Sequence, residues 1–325
     1  MPFEGIVRLP VSAAQRVDLQ VTVLHGEHLP TGLDLGAARF VNSVETLTAA
    51  LPGTEVLLVW DFLSDAVRDA WPAADTTALR WAHTASAGVD RLNFPGLVDS
   101  GVTVTNSRGV FDVPIAEYVL GLVLAQAKDF AHTLALQGRR EWRHRETERI
   151  AGRRAVVVGG GPIGAAIAGH LGAVGMQVDV VGRRDFPDLP RLLPDTDWLV
   201  LAVPLTDATR GMLDAQALAL LPAHARVINV GRGALVVEDD LVAALREGRI
   251  AGAALDVFAT EPLPDSSPFW ELPGVIVSPH MSGDVAGWRA ELEEVFAANL
   301  ARYRAGEPLA NIVDMQLGYV RSGGH

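Results

Sequence analysis

AVVVGGGPIGAAIAGHLGAVG, residues 155–175, is the stretch on which the fold turns. Val156, Val157 and Val158 form a short β-branched run of the kind that fits a parallel strand covered on both faces. Gly159, Gly161 and Gly164 follow as G-x-G-x-x-G. The first permits a tight turn, the second lets a pyrophosphate approach the backbone, and the third packs helix on strand. Pro162 sits just inside the helix start, where a missing N–H costs nothing. Ile163, Ile167, Leu171 and Val174 then recur at helical spacing, so one helix face is apolar. A second strand, 177–182, closes a βαβ unit. The N–H groups at the helix start are set to meet a phosphate, so Gly159, Gly161, Pro162, Ile163 and Gly164 are expected to hold a dinucleotide.

Working outward toward the C-terminus, apolar runs at 197–203, 225–230, 250–256 and 274–278 bring the strand count to six, that of a full dinucleotide-binding fold. Toward the N-terminus, runs at 19–24, 38–41, 56–60, 79–82 and 102–105 are separated by stretches long enough for crossover connections, which predicts a small parallel α/β domain. Residues 112–137 read as one long helix bridging the two domains, with Asp112 as N-cap and Pro114 in the first turn. Residues 138–154, GRREWRHRETERIAGRR, read either as a solvated linker or as an interface arm. A last helix, about 287–304, follows the final strand and is left to pack back on the first domain.

Composition sets the bounds. A chain of 325 residues exceeds one ordinary core, so two domains are expected. With 49% hydrophobic and 20% charged residues it is a packed globular protein. A net charge of -12 argues against a nucleic-acid surface. No apolar run approaches the ~18 residues of a membrane span, and MPFEGIVRLP is not a leader, so the expected location is cytoplasmic. Zero cysteines exclude disulfides, thiolate metal sites and cysteine nucleophiles, and no metal is expected.

The coenzyme is read from the end of the second strand of the unit, QVDVVGRR. An acidic residue there would hydrogen-bond the adenine ribose of NAD. Asp179 lies within the strand, and the end position is Gly182. Glycine removes the charge that would repel a 2′-phosphate, while Arg183 and Arg184 supply cationic forks. NADP(H) is therefore expected over NAD(H), the competing reading being an ordinary solvated turn.

Three further stretches carry reactive side chains at strand ends, where open α/β sheets bind ligands. VINVGRGA, 227–234, places Arg232 between glycines that let the backbone bend close to a ligand, and its fork suits a carboxylate. ALDVFATEPL, 254–263, carries Asp256 and Glu261, and VIVSPHMSG, 275–283, carries His280. A histidine near neutrality is a natural proton donor to a carbonyl, and a carboxylate beside it would orient it. Arg232, Glu261 and His280 thus suit hydride transfer to a 2-keto acid.

VGGGPIG, NVGRGALV, ALDVFATEPL and SPHMSG, in this order and spacing, resemble the signature set of the D-isomer-specific 2-hydroxyacid dehydrogenases. TASAGVDRLN (84–93), VTNSRGVFDVPIAEYVLGLVLA (104–125) and NLARYRAGEPLANIVDMQLGY (299–319) resemble family segments too, so the likeness runs from about Glu55 onward. It implies that Arg232 binds the substrate carboxylate and keto oxygen, and that His280 is the acid in reduction and the base in oxidation, with Glu261 as its partner. Asp256 matches the position contacting the nicotinamide carboxamide, Pro204 is counted among the cofactor contacts, and the N–H groups of Ala87 and Gly88 match a substrate-carboxylate cradle. Gly182 departs from the usual acidic residue, and Val285 stands where threonine is common.

The implied fold is α/β with two doubly wound parallel sheets. A Rossmann cofactor domain, 102–283, is inserted into a smaller flavodoxin-like substrate domain, 1–101 with 284–325, leaving a cleft between them. A homodimer built around the long helix and arm is implied as well. The expected activity is reduction of glyoxylate, hydroxypyruvate or a related 2-keto acid with NADPH. The alternative is a non-enzymatic dinucleotide-sensing protein of the same fold, corepressor-like. Trp60, Asp61, Phe62, Leu63 and Trp288 are offered as pocket lining, with packing as the equal alternative.

Overall fold

The computed structural model describes residues 19–320, and it divides into two compact units: one made of the chain up to Val110 together with the part from Gly287 onward, the other of Phe111–Ala286. The boundaries therefore fall at 110/111 and 286/287 rather than at 101/102 and 283/284. The first shift has a plain cause. Thr103–Asn106 is a strand of the first sheet, hydrogen-bonded beside Trp81–Thr84, so the chain cannot leave that unit before it.

The first unit contains β1 (Val21–Leu24), β2 (Arg39–Val41), α1 (Val44–Ala50), β3 (Val56–Val59), α2 (Ala66–Ala70), β4 (Trp81–Thr84), α3 (Pro95–Val98) and β5 (Thr103–Asn106). Its five strands are all parallel in the order β2-β1-β3-β4-β5, the flavodoxin-like order. Every residue of β1, β3 and β4 is buried, as strands covered on both faces require. The fourth strand begins at Trp81, two places later than the apolar run, and Leu79 closes the turn before it, its N–H donating to Thr76 O at 3.0 Å.

The second unit contains α4 (Asp112–Ala127), α5 (Phe130–Arg139), β6 (Arg154–Val158), α6 (Pro162–Ala173), β7 (Gln177–Val181), α7 (Leu189–Leu192), β8 (Trp198–Leu201), α8 (Ala215–Leu220), β9 (Arg226–Asn229), α9 (Glu238–Arg246), β10 (Gly252–Leu255) and β11 (Val275–Val277). Six parallel strands run in the order β11-β10-β9-β8-β6-β7. The order reverses between β6 and β8, so the ligand-binding crevice of this sheet lies outside the ends of those two strands, at Gly159 and Ala202. On α6, Gly164, Ile167 and Leu171 are the buried positions, and α4 packs against it.

The helix expected over 112–137 is two helices. Asp129 takes a left-handed conformation at φ 50°, which breaks the hydrogen-bond ladder, and α4 and α5 meet at a bend of 60°. Phe111 rather than Asp112 is the cap residue, with Asp112 the first helical residue, where its charge favours the helix start. No single helix among the described residues is long and apolar enough to cross a membrane.

The basic stretch after α5 is tied down at its far end. Glu148 accepts from the Arg226 guanidinium of β9 at 2.5 and 3.2 Å, its N–H donates to Ala127 O at 2.9 Å, and Lys128 Nζ donates to Glu148 O. The solvated-linker reading thus fails for this end, while Trp142 is fully exposed.

The last helix, α10 (Trp288–Ala305), belongs to the first unit. Trp81, with no exposed surface, stacks on Phe296 at 5.2 Å and on Tyr303 at 5.4 Å between centroids. Each such aromatic pair adds about 0.5–1.5 kcal/mol to the burial itself, which fixes this helix on β4.

Candidate active site

The glycine turn between β6 and α6 divides its three tasks among three positions. Gly159 has φ 141°, and a Cβ there would lie 2.4 Å from Ala202 O, so only glycine lets β6 and β8 end side by side. A Cβ on Gly164 would lie 1.8 Å from Gly159 O, so the helix packs on its own turn without a side chain between. Above Gly161 nothing lies within 4 Å of the Cβ position. That is open space at a helix start, with Pro162 and Ile163 half-buried behind it, and it fits a pyrophosphate. Pro204 lies exposed just past β8, its carbonyl accepting from Thr209 Oγ1 at 2.8 Å.

At the end of β7, Arg183 and Arg184 are exposed on a 3-10 turn that starts after Gly182. Asp179 is taken by Arg154 of β6, Nε to Oδ2 at 2.8 Å, and points back along the strand pair. Sequence reading missed Asp185. Its carboxylate accepts from the Gly182 N–H at 3.1 Å, and a Cβ on Gly182 would lie 3.2 Å from Oδ2. The strand end thus lacks a carboxylate of its own but receives one from three residues on. The signal was the i to i+3 acidic spacing of a turn cap.

Around Arg232 the glycines do something other than admit a ligand. A Cβ on Gly233 would lie 1.9 Å from the Phe258 carbonyl carbon, and one on Gly231 would lie 2.9 Å from Val203 O. Their closeness is to the protein's own backbone, and it brings the turn after β9 against the loop after β10. Asn229 locks the turn, donating from Nδ2 to Arg232 O at 2.9 Å and accepting from Gly231 N–H at 3.1 Å.

The loops after β10 and β11 converge on one pair. Glu261 accepts from the Phe258 N–H at 2.9 Å through Oε1, and its Oε2 meets His280 Nδ1 at 2.8 Å. Burial pushes the Glu261 carboxyl up, but the hydrogen bonds from His280 and Phe258, with the charges of His280 and Arg232, together hold it below its ordinary value. A carboxylate at Nδ1 keeps the proton on that nitrogen and directs Nε2 away from Glu261. His280 itself has φ 53°, a conformation held by its N–H donating to Asp256 O at 2.8 Å. Asp256, 1% exposed, takes the Ser278 hydroxyl at 2.5 Å and the N–H groups of Met281 and Ser282 at 2.9 and 3.0 Å. It therefore anchors both sides of the loop that carries His280. Tyr118 of α4 reaches the same Ser278 hydroxyl at 2.7 Å.

In the first unit, Ala87 and Gly88 form a bend just past β4, both half-buried. Trp60 is 6% exposed, which favours packing over pocket lining for it. Phe62 meets Trp288 edge to face at 6.2 Å, a packing contact for that pair, while Leu63 is exposed.

The comparisons with known proteins bear on this geometry. The family model for the NAD binding domain of D-isomer specific 2-hydroxyacid dehydrogenases matches residues 120–282. Glyoxylate/hydroxypyruvate reductase A of Serratia proteamaculans is 32% identical over 263 residues, covering 76% of this chain and 83% of the relative. Among solved structures, the Xanthobacter autotrophicus D-isomer specific 2-hydroxyacid dehydrogenase in complex with NADPH and MES is 31% identical, with a TM-score of 0.76 over 92% of this chain and 99% of that one. The Sinorhizobium meliloti NADPH-dependent glyoxylate/hydroxypyruvate reductase, in complex with NADP and sulfate, is 28% identical, with a TM-score of 0.77 over 93% of this chain and all of that one. With a glycine turn shaped for a dinucleotide and a histidine–carboxylate pair on the same sheet, the chain belongs to the D-isomer specific 2-hydroxyacid dehydrogenases and is an oxidoreductase of that family.

Proposed function

We propose that the protein is an NADPH-dependent reductase of a small 2-keto acid, with glyoxylate and hydroxypyruvate as the leading substrates. The observation that carries this reading is the His280–Glu261 pair at 2.8 Å, with Arg232 close enough for its charge to act on Glu261. When bound, the dihydronicotinamide supplies a hydride for the keto carbon. Glu261 stabilises the imidazolium from which His280 donates its Nε2 proton to the keto oxygen as charge develops there, and the ring is left neutral with its Nδ1–H on Glu261. Arg232 holds the substrate carboxylate and the keto oxygen in its fork. Ala87 and Gly88 supply two N–H groups suited to a substrate carboxylate. Gly159, Gly161, Pro162, Ile163, Gly164 and Pro204 are the residues that would cradle the dinucleotide. Asp256, besides anchoring the loop, is the residue that would contact the nicotinamide carboxamide.

The names of the relatives support the substrate class, since the Serratia and Sinorhizobium proteins are called glyoxylate/hydroxypyruvate reductases. Arg183 and Arg184 support the preference for a 2′-phosphate. The homodimer reading sets the arm, with its exposed Trp142, against a second copy. The test is steady-state kinetics on a panel of glyoxylate, hydroxypyruvate, phenylpyruvate and 2-ketoisocaproate with each coenzyme. Highest kcat/KM for glyoxylate or hydroxypyruvate with NADPH is expected. A clear NADH preference overturns the coenzyme reading, and slow turnover of every keto acid overturns the reductase.

A further inference from the structure

The bend at Ala87–Gly88 is held by groups that no catalytic role accounts for. Ser86 O accepts from the Ser107 N–H at 2.9 Å, and Ala87 O accepts from Asn106 Nδ2 at 2.6 Å. In a trans peptide the C=O and the N–H that follows it lie in one plane and point opposite ways. Tying the Ser86 and Ala87 carbonyls toward the end of β5 therefore turns the Ala87 and Gly88 N–H groups the other way, together. Among the described residues neither N–H has a hydrogen-bond acceptor. Two consecutive N–H groups turned to one side make a concavity for an anion.

Asn106 is itself fixed. It is 3% exposed, its N–H donates to Asn311 O at 3.3 Å, its carbonyl accepts from Asn311 Nδ2 at 3.3 Å, and its Oδ1 accepts from the Arg108 N–H at 3.3 Å. With Oδ1 so used, the amide donor has one direction left, toward Ala87 O. Behind Ser107 stands a directional chain. Ser107 spends its one hydroxyl hydrogen on Thr84 O at 3.2 Å, so it takes a hydrogen from His83 Nε2 at 3.2 Å. Nδ1 of that neutral ring accepts from the Thr105 hydroxyl at 2.7 Å, which in turn accepts from Trp81 Nε1–H at 2.8 Å.

We propose that Asn106 is a positioning residue: its amide donor orients the Ala87–Gly88 peptide so that the two N–H groups meet the substrate carboxylate. The inference rests on the reading of Ala87 and Gly88 as a carboxylate cradle. Asn106→Asp keeps the shape and replaces the donor by an acceptor facing Ala87 O, which turns the peptide away. Oxamate, a planar analogue of a small 2-keto acid, serves as probe in the NADPH-loaded protein. At pH 7.5 the Kd for oxamate and the KM for glyoxylate are expected to rise tenfold or more in Asn106→Asp, with kcat within threefold and the Kd for NADPH unchanged. Protonation of the new carboxyl restores a donor, so the ratio of oxamate Kd between variant and wild type should shrink as pH falls from 7.5 to 5.5.

A ratio near one, or one that does not move with pH, overturns the proposal. Gly88→Pro, which removes the N–H itself, separates the two readings. If it binds oxamate like wild type the cradle reading fails. If it alone weakens oxamate, the cradle stands and the role of Asn106 falls. Hydrogen exchange on the unaltered protein tests the same point should a variant not fold. Fast exchange at Ala87 and Gly88, slowed by oxamate, is expected, and slow exchange there without oxamate overturns the inference.

Discussion

His280 is the residue whose surroundings say most about chemistry. Its ring is fixed from one side by Glu261 and its backbone from the other by Asp256, so Nε2 is presented with little rotational freedom. For His280→Ala the expected loss in kcat is about 10²–10⁴-fold, the usual contribution of a positioned acid. The Kd for NADPH, measured by fluorescence titration, should stay within a few-fold of wild type, and undiminished turnover would refute the role. A second histidine, His83, does the opposite kind of work. It is fully buried, and burial lowers its pKa from 6.5 to about 3, so the folded protein keeps it neutral. Between those two values the unfolded chain binds a proton that the folded one does not. Its stabilising contribution is therefore full above about pH 6.5 and lost as pH falls toward 3, at up to about 1.4 kcal/mol per pH unit. Urea denaturation between pH 7 and 5 should show a shallower pH slope for His83→Gln than for wild type. Equal slopes would mean that His83 takes up its proton in the folded state.

At the scale of an element, the turn after β7 holds two opposed charges. Arg183 and Arg184 favour a 2′-phosphate, yet Asp185 holds its carboxylate on the Gly182 N–H, the kind of donor that a phosphate oxygen would take. Two unit charges about 4 Å apart in water interact by about 1 kcal/mol. Asp185→Ala should therefore raise the NADPH-to-NADH ratio of kcat/KM by about fivefold, and calorimetry with 2′,5′-ADP should show tighter binding by a similar factor. An unchanged ratio would assign Asp185 to turn capping alone. The helix α4 makes a related point. Residues 112–137 have the apolar content of a continuous helix, and only the left-handed Asp129 shows where it divides. The choice at Asp129 is enforced by distant partners, since Arg145 from the arm binds both its carboxylate and its carbonyl.

For the whole molecule, every residue assigned here to the dinucleotide lies in the unit Phe111–Ala286, while Ala87, Gly88 and Asn106 lie in the other. At a hundredfold excess over Kd, NADPH should stabilise the folded protein by about 2.7 kcal/mol. In hydrogen exchange by mass spectrometry, its protection should centre on the turns after β6 and β7, around 159–164 and 182–185. Protection confined to the first unit would place the coenzyme elsewhere.

Much of this was legible in the sequence because it is local. The valine run, the G-x-G-x-x-G spacing and the strand ends carrying Arg232, Glu261 and His280 each depend on backbone sterics and side-chain chemistry within a few residues. Those rules held to within one or two places for nearly all of the strands. Tertiary structure alone decided the rest. It placed the domain boundary after β5, because a strand belongs to whichever sheet completes its hydrogen bonds. It showed that Gly233 makes room for the Phe258 backbone rather than for a ligand. It also brought Asn106 to Ala87 across 19 positions and His280 to Glu261 across another 19, pairings set by which strands are neighbours. Sequence periodicity records which side of a strand is apolar, whereas the partner across the loop is chosen by the order of strands in the sheet.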